Sequence, residues 1–128
     1  MGWALDERID TGLCLRALQR ALAARKPRPG LIHHSDRGCQ YTSKDYQQAL
    51  AAAQLVPSMS RKGNCWDNAV AESFFGTLKR ELDLRRPFPS FEAARQAVSA
   101  YIHSFYNMKR LHSTNGYRSP VDREMNPD

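Results

Sequence analysis

No stretch of this chain comes near the roughly 20 consecutive apolar residues that span a bilayer, so nothing in it reads as a membrane helix. The start, MGWALD, also fails the myristoylation pattern, because Asp6 stands where Ser or Thr is needed. Cysteine is scarce. Cys14, Cys39 and Cys65 are odd in number and form no CxxC pair, so neither a disulfide framework nor a zinc knuckle follows. A soluble, unanchored protein in a reducing, cytoplasmic setting is expected. Internal repeats, low-complexity tracts and an interdomain linker are lacking too. What remains is 128 residues, 41% of them hydrophobic, which suits one domain with a real core and leaves no room for two. The formal charge of +6 favours a polyanionic partner without requiring one.

Periodicity sets out the elements. GWAL reads as the end of a strand, after which Asp10 or Thr11 caps a helix carrying Leu15, Leu18 and Leu22 at helical spacing. That helix stops at RKPRPG, where Arg25 and Lys26 complement its negative end and Pro27, Pro29 and Gly30 forbid continuation. LIH is then a short buried strand. Ser43 caps a second helix with Tyr46, Leu50 and Ala53 on one face, and Pro57 makes LVPSM an edge strand. The loop SRKGNCWDN leads into a third helix from about Ala69 to Leu82. RRPFPS separates it from a fourth, ending near Asn107, whose apolar stripe is Phe91, Ala94, Val98, Tyr101, Ile102 and Phe105. The tail MKRLHSTNGYRSP is basic and rich in turn formers. Strands alternating with helices imply an α/β layer, yet only two or three strands can be found, fewer than an ordinary sheet holds.

Two stretches carry chemistry. LIHHSDRG ends a strand in a polar cluster containing Asp36, and the third helix puts Glu72, Gly76 and Lys79 on the side opposite Val70, Phe74, Phe75, Leu78 and Leu82. Gly76 bears no side chain, so a bulky ligand backbone could come close there. Glu81 intrudes on the apolar arc, as a residue at a helix end can. Taken alone, Glu72 is a first-turn acid favoured by the helix dipole and Asp36 a strand-ending turn residue. Taken together, positions 36 and 72 have 35 residues between them, with one helix and one edge strand in the interval. They could converge on one metal site. Hard oxygen ligands suit magnesium, which binds through few carboxylates plus phosphate and water, and paired ions can serve phosphoryl transfer.

HHSDRGCQYTS, then SMSRKGNCWDNAVAESFFGTLKREL, then YNMKRLHSTNGYRSP closely resemble the catalytic core of insertion-sequence transposases related to retroviral integrases. The resemblance runs from GWAL to SPVD. It implies an RNase H-like fold and an acidic triad holding two magnesium or manganese ions, which cuts DNA at element ends and joins the 3′ hydroxyl to target DNA. By resemblance Asp36 matches the second acid, Glu72 the third, and Lys79 a basic position that contacts DNA near the cut. Ser35 and Asn68 flank the acids as candidate phosphate contacts, with a turn residue and an N-cap as their ordinary roles. Arg61 and Lys62 could neutralise phosphates or simply line a solvated loop. Of His33 and His34, one would face the core and one the site. Tyr106, Asn107, Arg110, His112, Gly116 and Pro120 reproduce the family's tail motif and should fold back near the core, while Trp3 and Trp66 should pack.

The family's first aspartate lies upstream of the segment matched by GWAL, so residues 1–128 are expected to be the C-terminal portion of one catalytic core domain, N-terminally truncated. The basic tail would occupy about 106–124. Such a piece would form an incomplete RNase H-like core, helices on a partial sheet, with little activity alone. Its expected partners are DNA and either itself or full-length transposase, in a bacterial cytoplasm near the nucleoid. The other reading is a noncatalytic DNA-binding or assembly remnant.

Overall fold

Asp10 ends the extended N-terminal segment and starts the first helix, α1 (Thr11–Arg25), by accepting the N–H of Leu13 at 2.8 Å. Lys26 closes it in the left-handed conformation, its N–H bonded to the Leu22 carbonyl, just before Pro27. The computed structural model describes residues 2–61 and 69–127. It divides into two units, Met1–Phe74 and Phe75–Asp128.

In the first unit α1 is followed by strand β1 (Ile32–Ser35), a one-turn helix α2 (Cys39–Thr42), helix α3 (Lys44–Ala52) and strand β2 (Val56–Met59). Ser43 caps α3 as expected, accepting from the N–H of Tyr46. The strands pair in parallel, with Ile32 opposite Val56 and His34 opposite Ser58. A parallel pair needs a crossover connection, and α2 and α3 supply it. Leu18 of α1 packs with Tyr46 and Leu50 of α3 and with Leu55, and Cys14, Leu15, Leu22 and Tyr41 close around them. Burying this cluster is what joins α1 to the crossover.

Two expectations need correction here. GWAL forms no strand: among the described residues the two strands pair only with each other. The segment instead runs against α1, where a Cβ on Gly2 would lie 2.4 Å from the Ala17 carbonyl oxygen and the Trp3 carbonyl accepts from Arg20. LIH is a strand but not a buried one, since Leu31 and Ile32 are 53% and 66% exposed. Ile32 and its register partner Val56 share the sheet face away from the helix cluster, and nothing among the described residues covers it. The short helix α2 was not foreseen.

Helix α4 (Ala69–Glu81) crosses from the first unit into the second. Only Thr77 and Leu78 are buried along it, a narrower sector than the expected arc, and Val70 and Phe75 are exposed. Ser90 caps α5 (Phe91–Ala100) by accepting from Ala93 at 3.1 Å. Val98, Tyr101 and Ile102 of the expected stripe are buried, whereas Phe91 and Phe105 are largely exposed. The fourth helix does reach Tyr106, but its last stretch, Tyr101–Tyr106, is a π-helix: the N–H of Asn107 reaches five residues back to Ile102. The chain then turns through Ser113–Asn115, closes a bridge between His112 and Arg118 around left-handed Gly116, and ends in α6 (Pro120–Met125). The N–H of Val121 bonds the Asn107 carbonyl at 3.0 Å, closing the tail on its own beginning.

The result is a mixed helix and parallel-strand arrangement, compatible with part of an RNase H-like core and without displaying the whole of one. No helix among the described residues is long and apolar enough to cross a membrane.

Candidate active site at the strand ends

Both parallel strands end together, and there the polar residues gather. Ser35, the last residue of β1, is buried; its carbonyl accepts from the N–H of Ser60 at 2.8 Å, and its hydroxyl donates to the Asp36 carbonyl at 2.9 Å. Its hydroxyl is thus spent on bracing the turn. Asp36 follows at once, exposed, with Oδ1 accepting the N–H of Gly38 at 2.8 Å. No hydrogen bond among the described residues takes Oδ2. A Cβ on Gly38 would sit 2.9 Å from that same Oδ1, so a side chain there would push the Asp36 carboxylate aside. Arg37 donates from Nε to the Ser60 carbonyl at 2.9 Å.

Histidines 33 and 34 have different surroundings. His33 is half-buried on the core side, its Nε2 3.1 Å from the Tyr46 hydroxyl. Burial pushes its pKa below the ordinary value, aided by the neighbouring His34. Burial likewise holds the Tyr46 phenol up at about 12, so it remains a proton donor at neutral pH. His34 bridges the strand ends, with Nδ1 3.0 Å from Ser58 Oγ and Nε2 3.1 Å from Ser60 Oγ. Ser58, Ser60 and Arg37 were not singled out from sequence. The pairing of His34 with Ser58 follows once LIHHS and VPSM are set side by side as parallel strands.

Glu72 lies in the first turn of α4, exposed, and Lys79 two turns further along, also exposed. Between them a Cβ on Gly76 would meet nothing within 4 Å. The open face is therefore present. No hydrogen bond or ion pair among the described residues joins Asp36 to Glu72, and no group of three or more His, Cys, Asp or Glu there is arranged to hold a metal ion. Arg61 is exposed beyond β2. Lys62, Asn68 and Trp66 lie outside the described residues. The two acids suit a hard cation by donor type, since an open carboxylate oxygen is what magnesium takes from a protein.

Glu81, which looked like an intrusion, has a task. Its carboxylate accepts the Tyr101 hydroxyl at 2.6 Å and Arg110 Nε at 2.9 Å. Partial burial opposes its charge, but those two hydrogen bonds and the Arg110 charge outweigh it and hold Glu81 below its ordinary value. Arg110 also lies 5.8 Å from the centre of the Tyr106 ring, on which His112 packs edge-on at 4.8 Å. Three of the tail's motif residues, Tyr106, Arg110 and His112, are thus tied to one another or to α4.

Two family models, each described as an integrase core domain, match the chain, one over residues 53–120 and the other over residues 1–65. The transposase for insertion sequence element IS904 of Lactococcus lactis is 44% identical over 124 residues, covering 97% of this chain and 49% of the relative. The 31 kDa protein of insertion element IS600 from Shigella sonnei is 47% identical over 119 residues, 93% of this chain and 44% of its own length. Transposase InsF for insertion sequence IS3A of Escherichia coli is 46% identical over 124 residues, 97% of this chain and 43% of its own. The chain therefore spans about half the length of the relatives it matches. With both halves of the sequence matched by its models, the chain belongs to the integrase core domain family, and its relatives include insertion-sequence transposases.

Proposed function

We propose that this chain is part of a transposase catalytic domain and supplies Asp36 and Glu72 to a site that cleaves DNA and joins the freed 3′ hydroxyl to target DNA. The observation that carries the reading is the end of β1, where a carboxylate is tethered by one oxygen and open at the other. Residues 1–128 form the C-terminal portion of one core domain in this reading, with the tail at about 106–124. Asp36 and Glu72 would hold magnesium or manganese as a two-ion site in the complete domain. Bound there, such ions polarise a phosphate and activate the attacking oxygen. The Gly38 N–H fixes the Asp36 carboxylate so that Oδ2 stays available. Lys79, with Arg61, Lys62 and Asn68, supplies phosphate contacts, and bare Gly76 lets a DNA backbone approach α4. DNA is accordingly the partner, with another copy or a full-length transposase beside it, in the cytoplasm.

The test is magnesium-dependent nicking and strand joining on duplexes carrying the element's ends, run beside manganese binding followed by electron paramagnetic resonance. Asp36→Asn and Glu72→Gln should each weaken manganese binding and reduce to background whatever joining the wild-type chain supports, which is expected to be little. Activity and binding unchanged in both variants would refute the reading. A noncatalytic DNA-binding or assembly module is the second reading, favoured by the charge of +6 and the basic tail. Salt-dependent DNA affinity with no metal-dependent cleavage would select it.

A further inference from the structure

We propose that Arg37 is a DNA-phosphate clamp of the strand-end site, anchored through one nitrogen so that its other two can grip a phosphodiester. The inference rests on reading the strand ends as a DNA-processing site. Arg37 Nε donates to the Ser60 carbonyl at 2.9 Å. Ser60 is itself buried and held from two sides, by its N–H to the Ser35 carbonyl at 2.8 Å and by its hydroxyl 3.1 Å from His34 Nε2. The carbonyl that holds Arg37 therefore belongs to the stiff part of the rim. Of the five guanidinium N–H groups one is used, and no hydrogen bond among the described residues takes Nη1 or Nη2.

The neighbouring acid makes this arrangement informative. An arginine present only to neutralise Asp36 would pair with it, yet no ion pair among the described residues joins them. Asp36 is satisfied instead by the Gly38 N–H, and Arg37 by a neutral carbonyl. Successive residues thus offer an open carboxylate oxygen and an open pair of donors, neither quenching the other. A phosphodiester bound with a divalent cation needs both: an oxygen ligand for the cation and donors for a non-bridging oxygen. Arginine suits this double duty because one edge of its plane can be anchored while the other presents parallel N–H groups, which a lysine ammonium cannot do. Its partner Ser60 is 23 residues away in sequence, so the local chemistry around Asp36 does not reveal the tether.

The experiment is fluorescence anisotropy of a labelled DNA duplex titrated with the chain over a potassium chloride series, with circular dichroism to establish folding of each variant. Loss of one phosphate contact should lower the magnitude of the slope of log affinity against log salt by about 0.9 in Arg37→Gln. Arg37→Lys keeps the charge and should keep the slope, while losing affinity through its missing fork. A brace with no phosphate role would not move the slope. Wild-type binding with the same slope in Arg37→Gln would overturn the clamp alone and leave the site intact. Absence of any salt-dependent wild-type binding would overturn the clamp together with the DNA-processing reading.

Discussion

Asp36 in the first unit and Glu81 in the second are both acids at the end of a regular element, and the protein treats them in opposite ways. Both Glu81 oxygens are engaged by groups of its own unit, Tyr101 and Arg110, across 20 and 29 residues of sequence. Asp36 has one oxygen held by a neighbour two residues on and the other left open. Glu81 is engaged on both oxygens by its own unit, whereas the second Asp36 oxygen meets solvent or, under the proposed function, a cation. The same contrast separates two arginines: Arg110 is spent on Glu81, whereas Arg37 gives the fold one N–H of five.

Leu50→Ala sets the upper end of the scale. Leu50 is 2% exposed at the centre of the first unit, so its truncation should cost about 2–5 kcal/mol in urea unfolding, more than any polar change at the strand ends. Glu81→Gln comes next, at about 1–2 kcal/mol, because it leaves Arg110 without its counter-charge. A double-mutant cycle with Arg110→Met should return a coupling of about 0.5–1.5 kcal/mol, and a value near zero would dissolve the contrast with Asp36.

Acid titration separates the units further. His33 and His112 are both held below the ordinary 6.5, chiefly by burial, so the unfolded chain takes up their protons first. The stability they contribute is complete above about pH 6.5 and falls as pH drops below it. Glu81 lies below its ordinary 4.5, so its contribution holds above that value and is lost as pH falls through the folded pKa. Amide exchange followed by NMR should show both units weakening below pH 6.5 and a further acid limb in the residue 75–128 unit, where Glu81 and Glu92 are both held below 4.5. Glu81→Gln should shrink that limb and leave the first. Smaller again is Gly76→Ala, which meets open space and should stabilise α4 by about 0.5–1 kcal/mol while weakening DNA binding. Asp36→Asn should lie within about 0.5 kcal/mol of wild type in unfolding, since an amide oxygen can still accept from Gly38, and yet lose manganese binding.

What could be read from the sequence was whatever depends on near neighbours. The caps at Asp10 and Ser43, the stop at Lys26 and Pro27, the edge strand at Pro57 and the open face of α4 all follow from local chemistry and spacing. Asp36 at a strand end and Glu72 and Lys79 on one helix face were equally legible. GWAL was misread because a short apolar run shows that a segment can be extended, not that it has a strand to pair with. LIH was misread for a related reason: apolar character predicts burial only where a second layer covers the residue, and the helix cluster covers one face of this strand pair. Glu81, Arg37 and Ser60 were missed because each acquires its meaning from a partner at least 20 residues distant.

The π-helix at Tyr101–Tyr106 has a consequence for how this segment tolerates changes in length. A π turn accommodates one residue more than the α turn it replaces. Removing a single residue between Ala100 and Asn107 would let the segment close into regular α winding with the residues downstream nearly in place, because the wider turn covers with one residue more about the rotation that an α turn covers. Arg110 would then keep its azimuth to Glu81. A single-residue deletion in this turn should thus be better tolerated than one inside α5, where it would rotate everything downstream by roughly 100°.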